Sequence, residues 1–101
     1  MDWYVYMVRC KDNSLYTGIT TCIKRRIKEH NCSKKGSKYC RSRRPVKLAY
    51  LTKVASKSIA LKHEHKIKNA SKYEKETLCD AYLWKVTHYG CWTEMVKSIC
   101  N

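Results

Sequence analysis

The sequence predicts a small α+β domain, with a three-stranded, mainly antiparallel sheet flanked by helices. Two runs of alternating β-forming residues, at 3–9 and 46–54, predict strands. The stretches that follow them open with residues that cap helices, such as Thr20 and Ser56. At 101 residues, the chain is long enough for one modest hydrophobic core and too short for two domains.

The first two strands are predicted to form a hairpin. Residues 3–9 alternate tyrosine with valine and methionine, and residues 11–14 (KDNS) are typical of a turn. A second strand over 15–18 would then pair back on the first. Side chains two residues apart on a strand share one face of the sheet. Tyr4 and Tyr6 on the first strand are therefore predicted to face the same side of the sheet, with Tyr16 of the second strand beside them.

The first helix is predicted from about Cys22 to His30, with Thr20 or Thr21 as its N-cap. Arg26 and His30 are four residues apart, so they lie on one face of this helix. A hairpin strand, a tight turn and a helix thus place a tyrosine, an arginine and a histidine in one short unit.

Residues 32–45 (CSKKGSKYCRSRRP) are predicted to form a polar, basic loop. Six of these fourteen residues are lysine or arginine, and one tyrosine lies among them. Such a loop can follow a nucleic-acid backbone, while the tyrosine can stack on an unpaired base. A short basic run also fits a localisation signal or a nonspecific patch. The predicted nucleic-acid-binding residues are Lys34, Lys35, Lys38, Tyr39, Arg41, Arg43 and Arg44.

The second half of the chain is predicted to add a strand and two helices. Residues 46–54 form the third strand, and Ser56 or Ser58 opens a helix that ends near Lys68. Residues 71–74 (SKYE) have the form of a capping box, which predicts the start of another helix. Four side chains of the helix before it are available to pack: Ile59, Leu61, His63 and Ile67.

The last part of the chain, residues 81–101, is rich in aromatic and apolar side chains. We expect it to be a C-terminal extension packed on the domain formed by residues 1–80, and not a disordered tail. Its function is left open.

The charge balance predicts a polyanionic partner. The chain has 22 lysine and arginine residues against 8 aspartate and glutamate residues, a formal net charge of +14. Such a surface attracts polyanions by counterion release, so nucleic acid is the expected partner. A solvated cationic surface or affinity for acidic membranes are the alternatives. The chain has no apolar run of about 18 residues and no secretory signal, which predicts no membrane span and an intracellular location, cytoplasmic or, in a eukaryote or its virus, nuclear.

Seven cysteines raise the question of disulfides. Their number is odd, no two lie closer than eight residues, and no CxxC occurs. This pattern argues against a disulfide scaffold and against a zinc ribbon. We expect most of them to be buried small side chains in a reducing compartment. Whether any two approach each other is left open.

The residue types present could support phosphodiester cleavage, which needs a metal ligand, a fixed cation for the phosphate and a proton acceptor for water. Glu64 is the only carboxylate of its helix, among lysines and histidines, so it could hold a metal ion or pair with Lys68. His63 and His65 are two residues apart on a helix and point to different sides. Each such residue alone is more often structural, and only the combination points to catalysis.

The combination resembles a known family. Tyr4-Val5-Tyr6 and Tyr16-Thr17-Gly18 resemble the two halves of the GIY-YIG nuclease signature. Arg26 falls where that family carries its helix arginine, and His30 falls where it carries histidine or tyrosine. The segment from Ala60 to Glu64 resembles the part with the metal-binding glutamate. The resemblance covers roughly residues 3–79 and is strongest to the small standalone members related to the UvrC nuclease domain.

The resemblance implies hydrolysis of a DNA strand with one metal ion. Glu64 would hold one Mg²⁺ or Mn²⁺, and Arg26 would contact the phosphate oxygens in a forked geometry. Tyr6 or Tyr16 would take a proton from the attacking water, and which one is left open. His30 would orient the tyrosine or share the proton transfer. The catalytic residues implied are therefore Tyr6, Tyr16, Arg26, His30 and Glu64.

Three positions depart from the family pattern. Tyr4 replaces the glycine of the signature, Ile19 stands where some members have lysine, and Glu76 stands where many have asparagine. The sequence nevertheless predicts a metal-dependent DNA endonuclease, structure-selective or weakly specific, in repair, recombination or mobile-element or viral DNA processing. The alternatives are a non-catalytic basic nucleic-acid-binding module of the same fold, or an interaction protein whose aromatic extension binds a protein partner or forms a homodimer.

Overall fold

The computed structural model describes residues 2–88 and contains one antiparallel sheet of three strands. The strand order is β2–β1–β3, so β1 is central and pairs with both neighbours. The predicted α+β class is confirmed. The elements are β1 (Trp3–Arg9), β2 (Leu15–Thr20), α1 (Ile23–Cys32), α2 (Lys38–Arg41), β3 (Lys47–Val54), α3 (Lys57–Lys68) and α4 (Lys72–His88).

The hairpin between β1 and β2 forms where the turn residues predict it. Asn13 adopts a φ of 70°, a conformation that asparagine tolerates better than most residues. The Ser14 N–H donates to Asp12 Oδ1 at 3.1 Å, which closes the turn. The second strand continues two residues beyond the predicted end at Gly18, because β1 still offers Thr20 a partner.

The central strand supplies side chains to both faces of the sheet. Residues 4–8 are all buried. On one side, the tyrosine face, Tyr6 packs with Ile23 of α1 and Cys40 of α2. On the other side, the methionine face, Met7 packs against α3 and α4. Alternation along one strand therefore builds two apolar layers, and burying each large side chain contributes about 1.5–3 kcal/mol.

The third strand departs from strict alternation. The pairing of β1 with β3 shifts register between Met7 and Val8. Leu48 and Leu51 consequently pack on the tyrosine face, while Tyr50 packs on the methionine face. The predicted two-residue alternation over 46–54 is wrong at this point, since an extra residue in one strand reverses the faces that follow it.

The start of α1 differs from the prediction. The N-cap is Cys22, whose side chain makes no capping hydrogen bond, so neither Thr20 nor Thr21 caps the helix. The Thr20 hydroxyl instead accepts from the Cys22 N–H at 3.1 Å and braces the turn before the helix. The helix also continues two residues past the predicted end, to Cys32.

The basic segment 32–45, predicted as a loop, contains the short helix α2. Ser37 caps this helix, its hydroxyl accepting from the Cys40 N–H at 3.1 Å. The Cys40 side chain is fully buried. Burial of Cys40 and the cap formed by Ser37 therefore hold this polar segment against the domain. The average polarity of the segment does not predict these two contacts.

The predicted caps of α3 and α4 are confirmed. Ser56 accepts from the Ile59 N–H at 3.2 Å. Ser71 accepts from the Glu74 N–H at 3.1 Å and donates to the Glu74 carboxylate at 3.2 Å. Each cap satisfies a backbone donor that the first turn of a helix otherwise leaves unpaired.

The packing face of α3 was predicted incorrectly in part. Ile67 is buried as expected, and Ala60 beside it is fully buried on the methionine face. Ile59 and Leu61, however, are 47% and 46% exposed. The small side chain of Ala60 brings the helix close to the sheet, which turns its larger neighbours away.

Helix α4 runs without interruption through residues 80 and 81, where the sequence predicted the start of an extension. Tyr82 packs on the sheet beside Tyr50, whereas Leu83 and Trp84 are exposed. The rest of the predicted extension, residues 89–101, lies outside the described residues, so the division at position 80 stays a prediction. Five cysteines lie among the described residues and none of them forms a disulfide: Cys10, Cys22, Cys32, Cys40 and Cys79.

Candidate active site

The site on the tyrosine face starts with Tyr6 and Gly18, which are opposite each other in the β1–β2 register. A Cβ atom at position 18 would lie 2.5 Å from the Tyr6 hydroxyl oxygen and 2.7 Å from Cζ. Only glycine therefore lets the phenol ring lie across β2. Sequence reasoning used Gly18 as part of a motif and missed this role, although the antiparallel register would have indicated it.

The buried hydroxyl of Tyr6 is bonded to His30. The distance from Tyr6 Oη to His30 Nε2 is 2.7 Å, and both side chains are fully buried. The other ring nitrogen, Nδ1, accepts from the Ser37 N–H at 3.1 Å. A neutral imidazole has one donor and one acceptor nitrogen, so these two bonds assign the proton to Nε2. His30 thus donates to the tyrosine oxygen.

Both members of this pair are neutral near pH 7. Burial, together with the charges of Arg26 and Arg44, lowers the pKa of His30 to about 4. Burial also raises the pKa of Tyr6 above its usual value of 10.0, and this effect exceeds the opposing effect of Arg26. A neutral His30 is the form that the two hydrogen bonds require.

Arg26 is held in one orientation beside this pair. Its Nη1 donates to Glu29 Oε1 at 2.9 Å and to the Lys35 carbonyl at 2.8 Å. The side chain is only 24% exposed. Two anchors on one nitrogen fix the plane of the guanidinium, as phosphate recognition by a fork of donors requires.

Tyr16 completes the cluster. Its ring meets His30 edge-on, with the centroids 5.5 Å apart, and stacks on Tyr39 at 5.9 Å. Unlike Tyr6, Tyr16 is partly exposed. The structure therefore brings together four of the five predicted catalytic residues: Tyr6, Tyr16, Arg26 and His30.

The fifth, Glu64, lies on α3, the helix that packs on the methionine face. Its side chain is 19% exposed, and its carboxylate is 3.6 Å from Lys68 Nζ. The ion pair that the sequence offered as an alternative is thus present, although it is long. Within residues 2–88, no three His, Cys, Asp or Glu side chains gather as a metal cluster. The assignment of Glu64 as metal ligand stays a prediction.

The predicted nucleic-acid-binding residues divide into two groups. Lys34, Lys35, Lys38 and Arg41 are exposed, whereas Tyr39, Arg43 and Arg44 are partly buried. Arg44 donates to the carbonyl oxygens of His30 at 2.6 Å, Glu29 at 3.3 Å and Ser33. Arg44 thus adds side-chain donors at the end of α1, where the Ser33 N–H already donates to the Glu29 carbonyl at 3.0 Å, and its positive charge stabilises the last turn of the helix.

The loop after α1 contains residues that sequence reasoning missed. A Cβ atom at Gly36 would lie 2.5 Å from the Glu29 carbonyl oxygen and 2.8 Å from the His30 Cα. Glycine therefore lets the loop touch the helix end, which places the Ser37 N–H on the His30 ring. In the sequence, the indication of this close contact is a glycine among lysines at positions 34–38 (KKGSK).

Glu76, at a position where many family members have asparagine, forms an ion pair with Arg9. Arg9 donates through both terminal nitrogens to the two carboxylate oxygens, with Nη1 to Oε2 at 2.9 Å. These bonds hold the pKa of Glu76 below its usual value. The carboxylate therefore joins β1 to α4.

The site thus combines a tyrosine on each hairpin strand, a glycine under one of them, and an arginine and a histidine on the next helix. The family model of the GIY-YIG catalytic domain matches residues 2–77, and the chain belongs to this family of endonuclease domains. The predicted resemblance is confirmed.

Several small proteins are similar to the chain over most of its length. The UPF0213 protein of Desulfotalea psychrophila is 54% identical over 79 residues, 78% of this chain and 72% of that protein. The UPF0213 protein of Staphylococcus haemolyticus is 53% identical over 72 residues, 71% of this chain and 87% of that protein. The solution NMR structure of the UPF0213 protein BH0048 from Bacillus halodurans matches with a TM-score of 0.52 and 44% identity, covering 80% of this chain and 85% of that chain.

None of the helices within residues 2–88 has the length and apolar character that crossing a membrane requires.

Proposed function

We propose that the protein is a DNA endonuclease that depends on one divalent metal ion and has structure selectivity or weak sequence specificity. DNA repair, recombination or the processing of mobile-element or viral DNA is the expected setting. The observation that carries the proposal is the buried hydrogen bond of 2.7 Å between Tyr6 and His30, with Tyr16 and Arg26 around it. A buried polar cluster of this kind is costly to assemble, and such clusters are common at functional sites.

Exposure separates the roles of the two tyrosines. Tyr16 is partly exposed, so in our proposal it takes a proton from the attacking water. Tyr6 is fully buried and accepts a bond from His30, so it acts as a positioning residue. Free tyrosine has a pKa near ~10, and a nearby cation is needed to stabilise its anion. In the same proposal Arg26, whose charge acts on Tyr6, contacts the phosphate oxygens, and the divalent ion would supply the charge beside Tyr16 when bound.

Glu64 is compatible with a hard divalent cation. Its partner Lys68 is 3.6 Å away, beyond a good hydrogen bond, so the carboxylate oxygens keep lone pairs for a metal. Mg²⁺ is commonly held by one or two carboxylates together with substrate phosphates and water. In this proposal Glu64 holds one Mg²⁺ or Mn²⁺, which when bound supplies charge stabilisation at the phosphate and the leaving oxygen.

The exposed cations after α1 provide a path for the DNA backbone. Lys34, Lys35, Lys38 and Arg41 belong to one basic segment adjoining the cluster. Lysine and arginine contacts to phosphates give affinity without sequence information. Weak specificity is therefore the expected behaviour of the domain alone.

A gel-based cleavage assay tests the proposal. Single-stranded, duplex, flap and branched DNA are incubated with Mg²⁺ or Mn²⁺ and the wild type, Glu64→Gln or Lys68→Gln. We expect Glu64→Gln to lose cutting by about 100-fold or more while DNA binding is retained, the usual scale for losing a catalytic electrostatic group. Lys68→Gln breaks the same ion pair but keeps the carboxylate, so it should still cut.

Two results would contradict the proposal. Wild-type protein that binds all four DNA forms but cuts none with either ion would favour the non-catalytic binding module. Equal cutting by Glu64→Gln and wild type would show that the carboxylate holds no essential metal.

A further inference from the structure

The ring of Tyr39 is already covered by two other side chains. It stacks on Tyr16 with an interplanar angle of 22° and a centroid distance of 5.9 Å. The guanidinium carbon of Arg43 lies 3.8 Å from its centroid, in cation–π geometry. These two contacts already occupy ring surface that a stacked base would need, which favours a role for Tyr39 inside the cluster over base stacking.

Arg43 is itself anchored on the hairpin. Its Nε donates to Asp12 Oδ2 at 3.0 Å, and its Nη1 donates to the Tyr39 carbonyl at 3.0 Å. The Lys11 N–H also donates to the Arg43 carbonyl at 3.0 Å. Asp12 is fixed in turn by the N–H and hydroxyl of Ser14. The turn between β1 and β2 thus holds Arg43 on the Tyr39 ring.

Tyr39 is also held from the side of its own helix. Its neighbour Cys40 is fully buried, and Ser37 caps α2 through the Cys40 N–H. Tyr16, by contrast, is on the edge strand β2, and its other aromatic neighbour is the edge of His30. The ring of Tyr39 is therefore held in one orientation, and the ring of Tyr16 packs against it.

We infer that Tyr39 is a positioning residue for Tyr16, with Arg43 locking Tyr39 in place. This inference rests on the proposed function, in which Tyr16 takes the proton from water. It replaces the predicted nucleic-acid contacts of Tyr39 and Arg43 with a role inside the site. Proton transfer needs the phenol oxygen within hydrogen-bond reach of the water, so a tilted Tyr16 ring slows the chemical step and leaves DNA affinity intact.

Cleavage kinetics of two variants separate positioning from DNA binding. Tyr39→Leu removes the aromatic ring that Tyr16 packs against. We expect kcat to fall about 10- to 100-fold, since small misplacements of reacting groups cost this much, while KM for DNA stays within about twofold. Tyr39→Phe keeps the aromatic ring, so its kcat should be close to that of the wild type. A base-stacking role would instead raise KM in Tyr39→Leu, and that result would overturn the inference.

Arg41→Gln is the matched control, since Arg41 lies on the same helix as Tyr39, is exposed and carries the same charge as Arg43. Its effect should fall on KM and on the salt dependence of binding, as expected for a phosphate contact. Arg43→Lys keeps the charge but loses the planar guanidinium, so it should lower kcat, as Tyr39→Leu does. An unchanged kcat in Arg43→Lys would contradict the locking role.

A measurement without DNA keeps the inference testable if the wild type cuts nothing, which would refute the proposed function alone. Three-bond NMR couplings report the χ1 angle of Tyr16. We expect one rotamer in the wild type and in Tyr39→Phe, and averaging between rotamers in Tyr39→Leu, with the backbone spectrum otherwise retained. A single unchanged rotamer in Tyr39→Leu would overturn the positioning role.

Discussion

Acid should destabilise this protein through His30. The ring is fully buried, donates to Tyr6 and accepts from the Ser37 N–H, so the folded protein contains the neutral imidazole. Its pKa falls from 6.5 to about 4 on folding, because burial disfavours the charged imidazolium. Each pH unit of such a difference corresponds to about 1.4 kcal/mol, so the whole difference corresponds to about 3 kcal/mol of unfolding free energy.

The direction of this change in stability follows from which state, folded or unfolded, binds a proton at the higher pH. As the pH falls below 6.5, the unfolded chain protonates His30 while the folded chain does not, so the unfolded state gains stability. The contribution of His30 is complete above about pH 7, declines between 6.5 and about 4, and is constant below. Glu76 and Glu29, whose pKa values lie below the usual 4.5, lose their contribution at lower pH, mainly below that value.

Urea unfolding from pH 7.5 to 4 measures this effect in the wild type and in His30→Gln. Glutamine keeps an amide donor for Tyr6 but does not titrate in this range. We expect the wild type to be more stable at pH 7.5 and the difference in free energy to shrink by about 3 kcal/mol at pH 4. His65→Gln, at an exposed position on α3, is the control and should parallel the wild type. A constant difference between wild type and His30→Gln would refute the reasoning.

Two other substitutions test the support of the site. Gly18→Ala would place a methyl group 2.5 Å from the Tyr6 hydroxyl and should cost about 2–4 kcal/mol, combining about 1–3 for overpacking with about 1 for the weakened bond to His30. Urea unfolding measures it, and a cost below about 0.5 kcal/mol would show that the ring can move freely. Arg44→Lys should lose about 1–2 kcal/mol and speed amide exchange in the last turn of α1, since lysine lacks the fork that reaches three carbonyls. Unchanged stability with weaker DNA binding would instead assign Arg44 to phosphate contact.

The parts of the fold that local patterns determine were predictable. The alternation in β1, the turn before Ser14 and the caps Ser56 and Ser71 each depend on a few neighbouring residues, and the structure contains all of them. The register shift opposite Met7 was not predictable, because it depends on how two distant strands meet. The first and last residues of some helices and strands were predicted incorrectly for the same reason, because they also depend on contacts with distant parts of the chain.

The site was predictable as a set of residue types and not as a set of contacts. Spacing placed Arg26 and His30 on one helix face, and the structure brings them to Tyr6 and Tyr16. Charge alone, however, predicts a phosphate contact for Arg44 and gives no indication of its contacts within the protein. Its actual partners are backbone carbonyls, which no side-chain pattern discloses.

The central position of β1 has a consequence for how the protein can change over generations. Neighbouring residues of this strand serve Tyr6 on one face and Met7 on the other, and both strands beside it depend on its register. A shift of one residue would exchange the faces and remove the chemistry and both apolar layers together. The exposed lysines after α1 contribute neither to the strand register nor to the two apolar layers. In the proposed function these lysines contact the DNA backbone, so DNA preference can change there without a change in the register that places Tyr6.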